Sequence, residues 1–245
     1  MRRGLFSILI LVVVAGSSRV EAGCIDPATL AHSTVSIARY FSTKERMIDP
    51  DVLGIRGTGW FLSPGLMLTA AHVAEAMHLS EQDWMQVEIR DGDNAHSIPV
   101  RIARLAGSHS EKIALLELNA SFPGAQVLQV RMEPLVPDES VVSLAYPDNL
   151  LRFASGRFVQ YGADGEFAGT ALFELYDGND RLVLDHGASG APVLDCEGRA
   201  VALVSNLMTR TIQFLSRMMR ISTPWQNPNV VSVPVQVIKD FAQAE

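Results

Sequence analysis

Two histidine- and serine-bearing stretches carry the residue types from which a nucleophile can be built. The first is D-H-G-A-S-G-A-P-V-L-D (Asp185–Asp195), which sets Ser189 between glycines on a tight turn ahead of a proline and an apolar run. The second is G-T-G-W-F-L-S-P-G-L-M-L-T-A-A-H-V (Gly57–Val73), which sets His72 just after an apolar strand. A serine hydroxyl is a weak nucleophile until a base takes its proton, and histidine is the usual base near neutral pH. The small neighbours Ala70 and Ala71 let the backbone pack closely while the imidazole points into a cleft. Gly187 and Gly190 permit backbone geometry that a β-carbon hinders. The N–H groups of Gly187 and Ser189 can then converge on one point, as an oxyanion requires, each such donor being worth about 3–4 kcal/mol. On residues alone, a histidine on a helical turn and a structural Gly/Ser hairpin remain the plain alternatives.

The elements that must hold these groups are short strands. T-V-S-I-A-R-Y within Ala28–Tyr40 alternates like a half-buried strand, and Ser42–Gly57 is polar and irregular. Thr58–Leu62 and Leu66–Thr69 flank the turn Ser63-Pro64-Gly65, and Ala70–Met77 forms a short helix bearing His72. Met85–Arg90 and Ser97–Leu105 pair across the turn Asp91-Gly92-Asp93-Asn94, followed by the dense strand Lys112–Leu118. A connection runs to Val136. Beyond it come strands at Ser140–Ala145, Arg152–Tyr161, Ala171–Leu175, Val183–Leu184, Pro192–Leu194, Ala200–Ser205 and Val230–Val233, then a terminal helix over Pro234–Ala244. Many short strands with little helix argue a sandwich or a barrel.

The 245 residues are 48% hydrophobic and 19% charged, an ordinary globular composition with a formal net charge of −7. That acidic balance offers no basic face for nucleic acid. Residues 1–22 read as an export signal: Arg2 and Arg3 precede the apolar stretch Leu5–Ala15, and Val20-Glu21-Ala22 fits a cleavage site, leaving a secreted or periplasmic chain. The apolar run falls short of the ~20 residues a membrane span needs, so no stable span is expected after cleavage; a lipid anchor at Cys24 is the alternative. Cys24 and Cys196 are the only cysteines, and an oxidising compartment favours their pairing over two free thiols. A loop of that length contributes about 4 kcal/mol in the chain-entropy view. Neither cysteines nor histidines show zinc-ligand spacing, and no metal or other cofactor is expected.

T-A-A-H-V after G-x-G-W-F-L-S-P, together with G-A-S-G-A-P downstream, resembles the histidine and serine motifs of trypsin-like serine proteases. The resemblance spans roughly residues 30–242. It implies an all-β chymotrypsin-like fold of two antiparallel β-barrels, residues 23–125 carrying the histidine and residues 126–245 the serine and a short C-terminal helix. It implies an endopeptidase acting on peptides or proteins through an acyl-enzyme, with His72 as base, Ser189 as nucleophile, and Gly187 and Ser189 as oxyanion donors. A-V-A-L-V-S-N (Ala200–Asn206) is similar to the strand that pairs with an extended substrate, with Ser205 at its serine. Val183, six residues before Ser189, stands where the family sets the base of the primary pocket, which implies a small or apolar preference.

Two positions depart from the pattern. Ala188 replaces the aspartate that receives a new N-terminus in trypsin, so that activation switch is not expected. In S-E-K-I-A-L-L-E-L (Ser110–Leu118), similar to the family's D-I-A-L-L, Lys112 takes the place of the acid. A lysine only donates and is positive, so it cannot orient the imidazole. Three readings stay open: Glu111 serves through a local bulge; His109 or Asp51 orients His72; or the triad is broken, which makes the chain a binding protein with a protease fold. His186 either lines the cleft or is a solvated turn residue. The segment 209–229, with Arg210, Arg217 and Arg220 among Phe214, Met218, Met219 and Trp225, suits a contact surface for substrate or a protein partner, or an ordinary hairpin.

Overall fold

The computed structural model describes residues 24–47, 50–108, 111–179, 181–182, 184–207, 209–213, 220–224 and 228–242. For 27, 107–108, 111–112, 166, 206–207, 209–213, 220–224 and 240–242 this is the backbone alone. The expected export signal lies outside the described residues. Among the described residues no helix is long and apolar enough to cross a membrane.

The first barrel contains β1 (Thr34–Tyr40), β2 (Gly54–Ser63), β3 (Leu66–Ala70), β4 (Met85–Asp91), β5 (Asn94–Ser108) and β6 (Glu111–Leu118). It closes in the order β1-β2-β3-β6-β5-β4, with β4 pairing back to β1 at Ile37 and Ile89. The second contains β7 (Ser140–Ala145), β8 (Arg152–Tyr161), β9 (Ala171–Tyr176), β10 (Pro192–Asp195), β11 (Ala200–Leu207) and, past a hairpin of β12 (Thr209–Gln213) with β13 (Arg220–Pro224), β14 (Val230–Pro234). It closes in the order β10-β11-β14-β9-β8-β7. Every ladder in both barrels is antiparallel, and closure leaves neither barrel an open strand edge. Among the described residues three short α-helices accompany them: α1 (Thr43–Arg46), α2 (Ala71–Ala76) and the C-terminal α3 (Val235–Ala242). The expected all-β, two-barrel architecture is thus the one observed.

Each barrel is filled from its own strands. Ile37, Trp60, Met67, Ile89, Ile113 and Leu116 are fully buried in the first; Phe158, Phe173, Leu175, Val193 and Val201 fill the second. The start of the chain departs from expectation. Pro27–Ser33 is a 3-10 helix, because Asp26 caps it by accepting the Ala28 N–H and Pro27 favours its first turn. Thr34–Arg39 is buried at every residue rather than alternating. One face of β1 fills the barrel, while the other meets the second barrel, where the Ser36 hydroxyl donates to Asn149 Oδ1 at 3.0 Å. The stretch expected to be irregular holds α1, set by a capping box between Ser42 and Glu45, and β2 begins there at Gly54. Leu184, expected in a strand, is buried but lies outside any strand, immediately before the Asp185–Gly190 turn.

Cys24 and Cys196 form a disulfide that joins residues 172 apart, and Ile25 N–H donates to Cys196 O at 3.1 Å beside it. The bond ties the start of the described chain to the turn after β10. Reduction, or the double substitution Cys24→Ser with Cys196→Ser, is expected to lower the unfolding free energy by about 2–5 kcal/mol. Urea unfolding with and without reductant checks this; coincident curves contradict it.

Candidate active site

The Ser189 turn belongs to the second barrel but is seated on the first. Ala188 N–H closes the turn on Asp185 O at 2.8 Å, and the Asp185 carboxylate accepts His186 N–H at 2.7 Å. Gly187 and Gly190 adopt φ of 98° and 94°, which an L side chain resists. At Gly190 an added Cβ would stand 2.0 Å from Thr58 O, so the approach itself requires glycine. Thr58 is the hub of the seat. Its N–H donates to Ser189 O at 2.9 Å and its hydroxyl to Gly187 O at 2.6 Å, while Tyr146 N–H donates to that hydroxyl at 3.0 Å. Thr69 in turn donates to Thr58 O at 2.8 Å. Both threonines are fully buried. Sequence reasoning passed over them, although a polar residue inside each of two apolar strands was the available signal.

His72 enters from the first barrel. Ala70, Ala71, Val73 and Ala74 bury the other positions around it, so the start of α2 packs down while the imidazole stays exposed to the cleft. Gly57 makes room for that packing, because a Cβ there would meet Val73 Cγ1 at 2.5 Å. His72 and Ser189 line one open cleft of about 730 Å³ between the barrels, with His186 and Gly187 beside them. Partial burial in the cleft desolvates the imidazole and lowers its pKa below the ordinary histidine value; the charge of Glu75 pulls the other way.

The Ser189 hydroxyl donates to Ser205 O at 3.2 Å, which puts β11 next to it. The Ser205 hydroxyl itself is buried and has no partner among the described residues. Among the described residues, the N–H groups of Gly187 and Ser189 likewise donate to no acceptor. Two unspent backbone donors on a glycine-shaped turn beside a hydroxyl are the chemical requirement for receiving an oxyanion.

The orienting acid is less complete. Glu111 and Lys112 begin β6, whose register pairs Ala70 with Ile113, but their side chains lie outside the described residues, as does His109. Asp51 lines the cleft and is exposed. Asp148, which sequence reasoning did not single out, also lines it, on a turn with positive φ at Asp148 and Asn149. Val183 lies outside the described residues, as do the side chains of the 209–227 segment; its backbone shows the β12–β13 pairing of Thr209 with Pro224 through Gln213 with Arg220. Among the described residues no three His, Cys, Asp or Glu side chains gather as metal ligands.

Residues 57–203, more than half of the chain, match the family model of the trypsin-like peptidase domain. In fold, the chain is similar to the active form of the Rv3671c protease from M. tuberculosis, at a TM-score of 0.57 and 18% identity over 87% of this chain and 80% of that one. It is similarly close to a serine-to-alanine mutant of Rv3671c from M. tuberculosis H37Rv in an inactive form, at a TM-score of 0.55 and 17% identity over 87% of this chain and 86% of that one. No curated protein matches the chain in sequence.

Proposed function

Taking as premise that this chain belongs to the trypsin-like peptidase domain family, we propose that it is an exported serine endopeptidase with Ser189 as nucleophile and His72 as its base. The carrying observation is that these two side chains, 117 positions apart, line one cleft from opposite barrels. The Ser189 hydroxyl rotates from Ser205 O towards His72, gives up its proton and attacks the scissile carbonyl carbon. The oxyanion is held by the N–H groups of Gly187 and Ser189. His72 then protonates the leaving amine as the C–N bond breaks, and water hydrolyses the acyl-Ser189 ester by the same route in reverse.

Glu111 is the proposed orienting acid. The pairing of Ala70 with Ile113 supports it: the residues just before Ile113 run beside the residues just after Ala70, where α2 and His72 begin. Export is supported by the signal-like residues 1–22 and by the disulfide. A domain boundary near 125 is supported by the connection between β6 and β7, which spans that position. On the acyl side, Ser205 and β11 pair with the extended substrate, and Val183 leaves the primary pocket uncharged. A protein substrate or partner also contacts the segment 209–229.

A second reading, a binding protein that has lost its acid, is favoured by Lys112 at the family's acid position. A fluorophosphonate probe separates the two. The endopeptidase reading expects an adduct on the wild type that Ser189→Ala abolishes; a folded wild type that stays unlabelled supports the second. Glu111→Gln is expected to slow labelling by at least about a hundred-fold, a triad acid being worth up to roughly four orders of magnitude. An unchanged rate removes Glu111 from the mechanism.

A further inference from the structure

We infer that the cleft on the first-barrel side of Ser189 is a subsite for a large apolar side chain in the leaving half of a polypeptide substrate, walled by Tyr40 and Leu53. This rests on the peptidase reading and names what that site selects.

The direction follows from the chemistry. The group that protonates the leaving amine must face the leaving half of the substrate. The helical residues that follow His72, Val73 and Ala76, line this cleft, whereas none of the described side chains of β11, from Ala200 to Ser205, lines it. The acyl half therefore runs along β11 and the leaving half enters the cleft.

The wall is apolar and unspent. Tyr40 ends the buried run of β1 and is 53% exposed, and Leu53 is 63% exposed. Ile55 and Val73 continue the same lining. Two large apolar side chains left in solvent beside a reactive serine and histidine fit the pattern of a binding surface. The charged lining, Asp51, Arg56 and Asp148, carries both signs, so charge does not override the apolar wall.

The wall is also held in place. Tyr40 pairs with Gly54, and Phe41 N–H donates to Leu53 O at 3.0 Å. The buried Arg39 guanidinium donates to Met77 O at 2.9 Å, at the end of α2, and to Glu45 at 2.5 Å, and it stacks over Phe41. One cation thus ties the connection that carries Leu53 to the helix that carries His72. A surface fixed before binding loses little entropy on contact.

The test is binding to the Ser189→Ala chain, which has no nucleophile. NMR titration with the free-amine peptides Leu-Ala-Ser-Ala and Gly-Ala-Ser-Ala is expected to show the leucine peptide about ten-fold tighter. Adding Leu53→Ala or, separately, Tyr40→Ser is expected to bring the ratio to within about two-fold. Both side chains are more than half exposed, so melting temperatures close to that of the parent are expected and confirm folded variants. Equal binding of the two peptides, no binding of either, or a preference that survives both substitutions overturns the inference. Failure of the peptidase reading registers elsewhere, as a wild type without a fluorophosphonate adduct.

Discussion

Ser189→Ala is expected to lower turnover of a peptide substrate by about six orders of magnitude, and His72→Ala added to it is expected to cost almost nothing more. The two side chains enter one proton transfer. Without the hydroxyl the imidazole has no proton to take, and without the imidazole the hydroxyl, now bonded to Ser205 O, stays protonated. What survives is the pair of N–H donors at Gly187 and position 189, which can still polarise a carbonyl towards water and leave a residual rate of about 10³–10⁴ over the uncatalysed reaction. Single-turnover rates of the wild type, both single variants and the double variant measure this. Losses that multiply in the double variant would mean that the two residues act independently.

Gly190→Ala is the second large effect, and it acts on the fold. A methyl at this position would lie 2.0 Å from Thr58 O and 2.4 Å from Thr69 Oγ1, both buried, on a backbone with φ of 94°. The turn would have to leave its seat and release the bonds from Thr58 to Ser189 O and Gly187 O. The expected cost is at least about 3 kcal/mol of stability, together with loss of activity. Gly92→Ala is the control. That glycine also has positive φ, at 56°, but nothing lies within 4 Å of an added Cβ, so about 1–2 kcal/mol is expected. Urea unfolding of both variants decides it. Equal costs would show that backbone conformation alone, and not the contact between barrels, demands glycine at 190.

Why so much of the site could be read from residue types is plain from its construction. A glycine at positive φ, a glycine pressed on a carbonyl and two buried alanines leave few substitutes, so the turn around Ser189 and the start of α2 carry short, restrictive strings. Strands such as Ser140–Ala145 and the pair across Gly92 were legible because each has an apolar run bounded by turn chemistry. The interface between the barrels was not legible. Thr58 looks like an ordinary strand threonine until the second barrel supplies Gly187 O and Ser189 O as its partners more than a hundred positions away, and Thr69 then braces it by donating to Thr58 O. Thr34–Arg39 reads as half-buried because its outer face is covered only by residues distant along the chain. Asp148 reaches the cleft through a loop whose conformation no local pattern announces.

The coupling of His72 to Ser189 is tested most directly by the pH dependence of fluorophosphonate labelling. Only a neutral imidazole can accept the serine proton, and the cleft lowers the pKa of His72. The labelling rate is therefore expected to rise with pH through one ionisation centred below the ordinary histidine value of 6.5 and to level off above it. In His72→Ala that inflection is expected to vanish along with most of the rate. A His72→Ala chain that labels Ser189 at the wild-type rate, with the same inflection, would contradict the account.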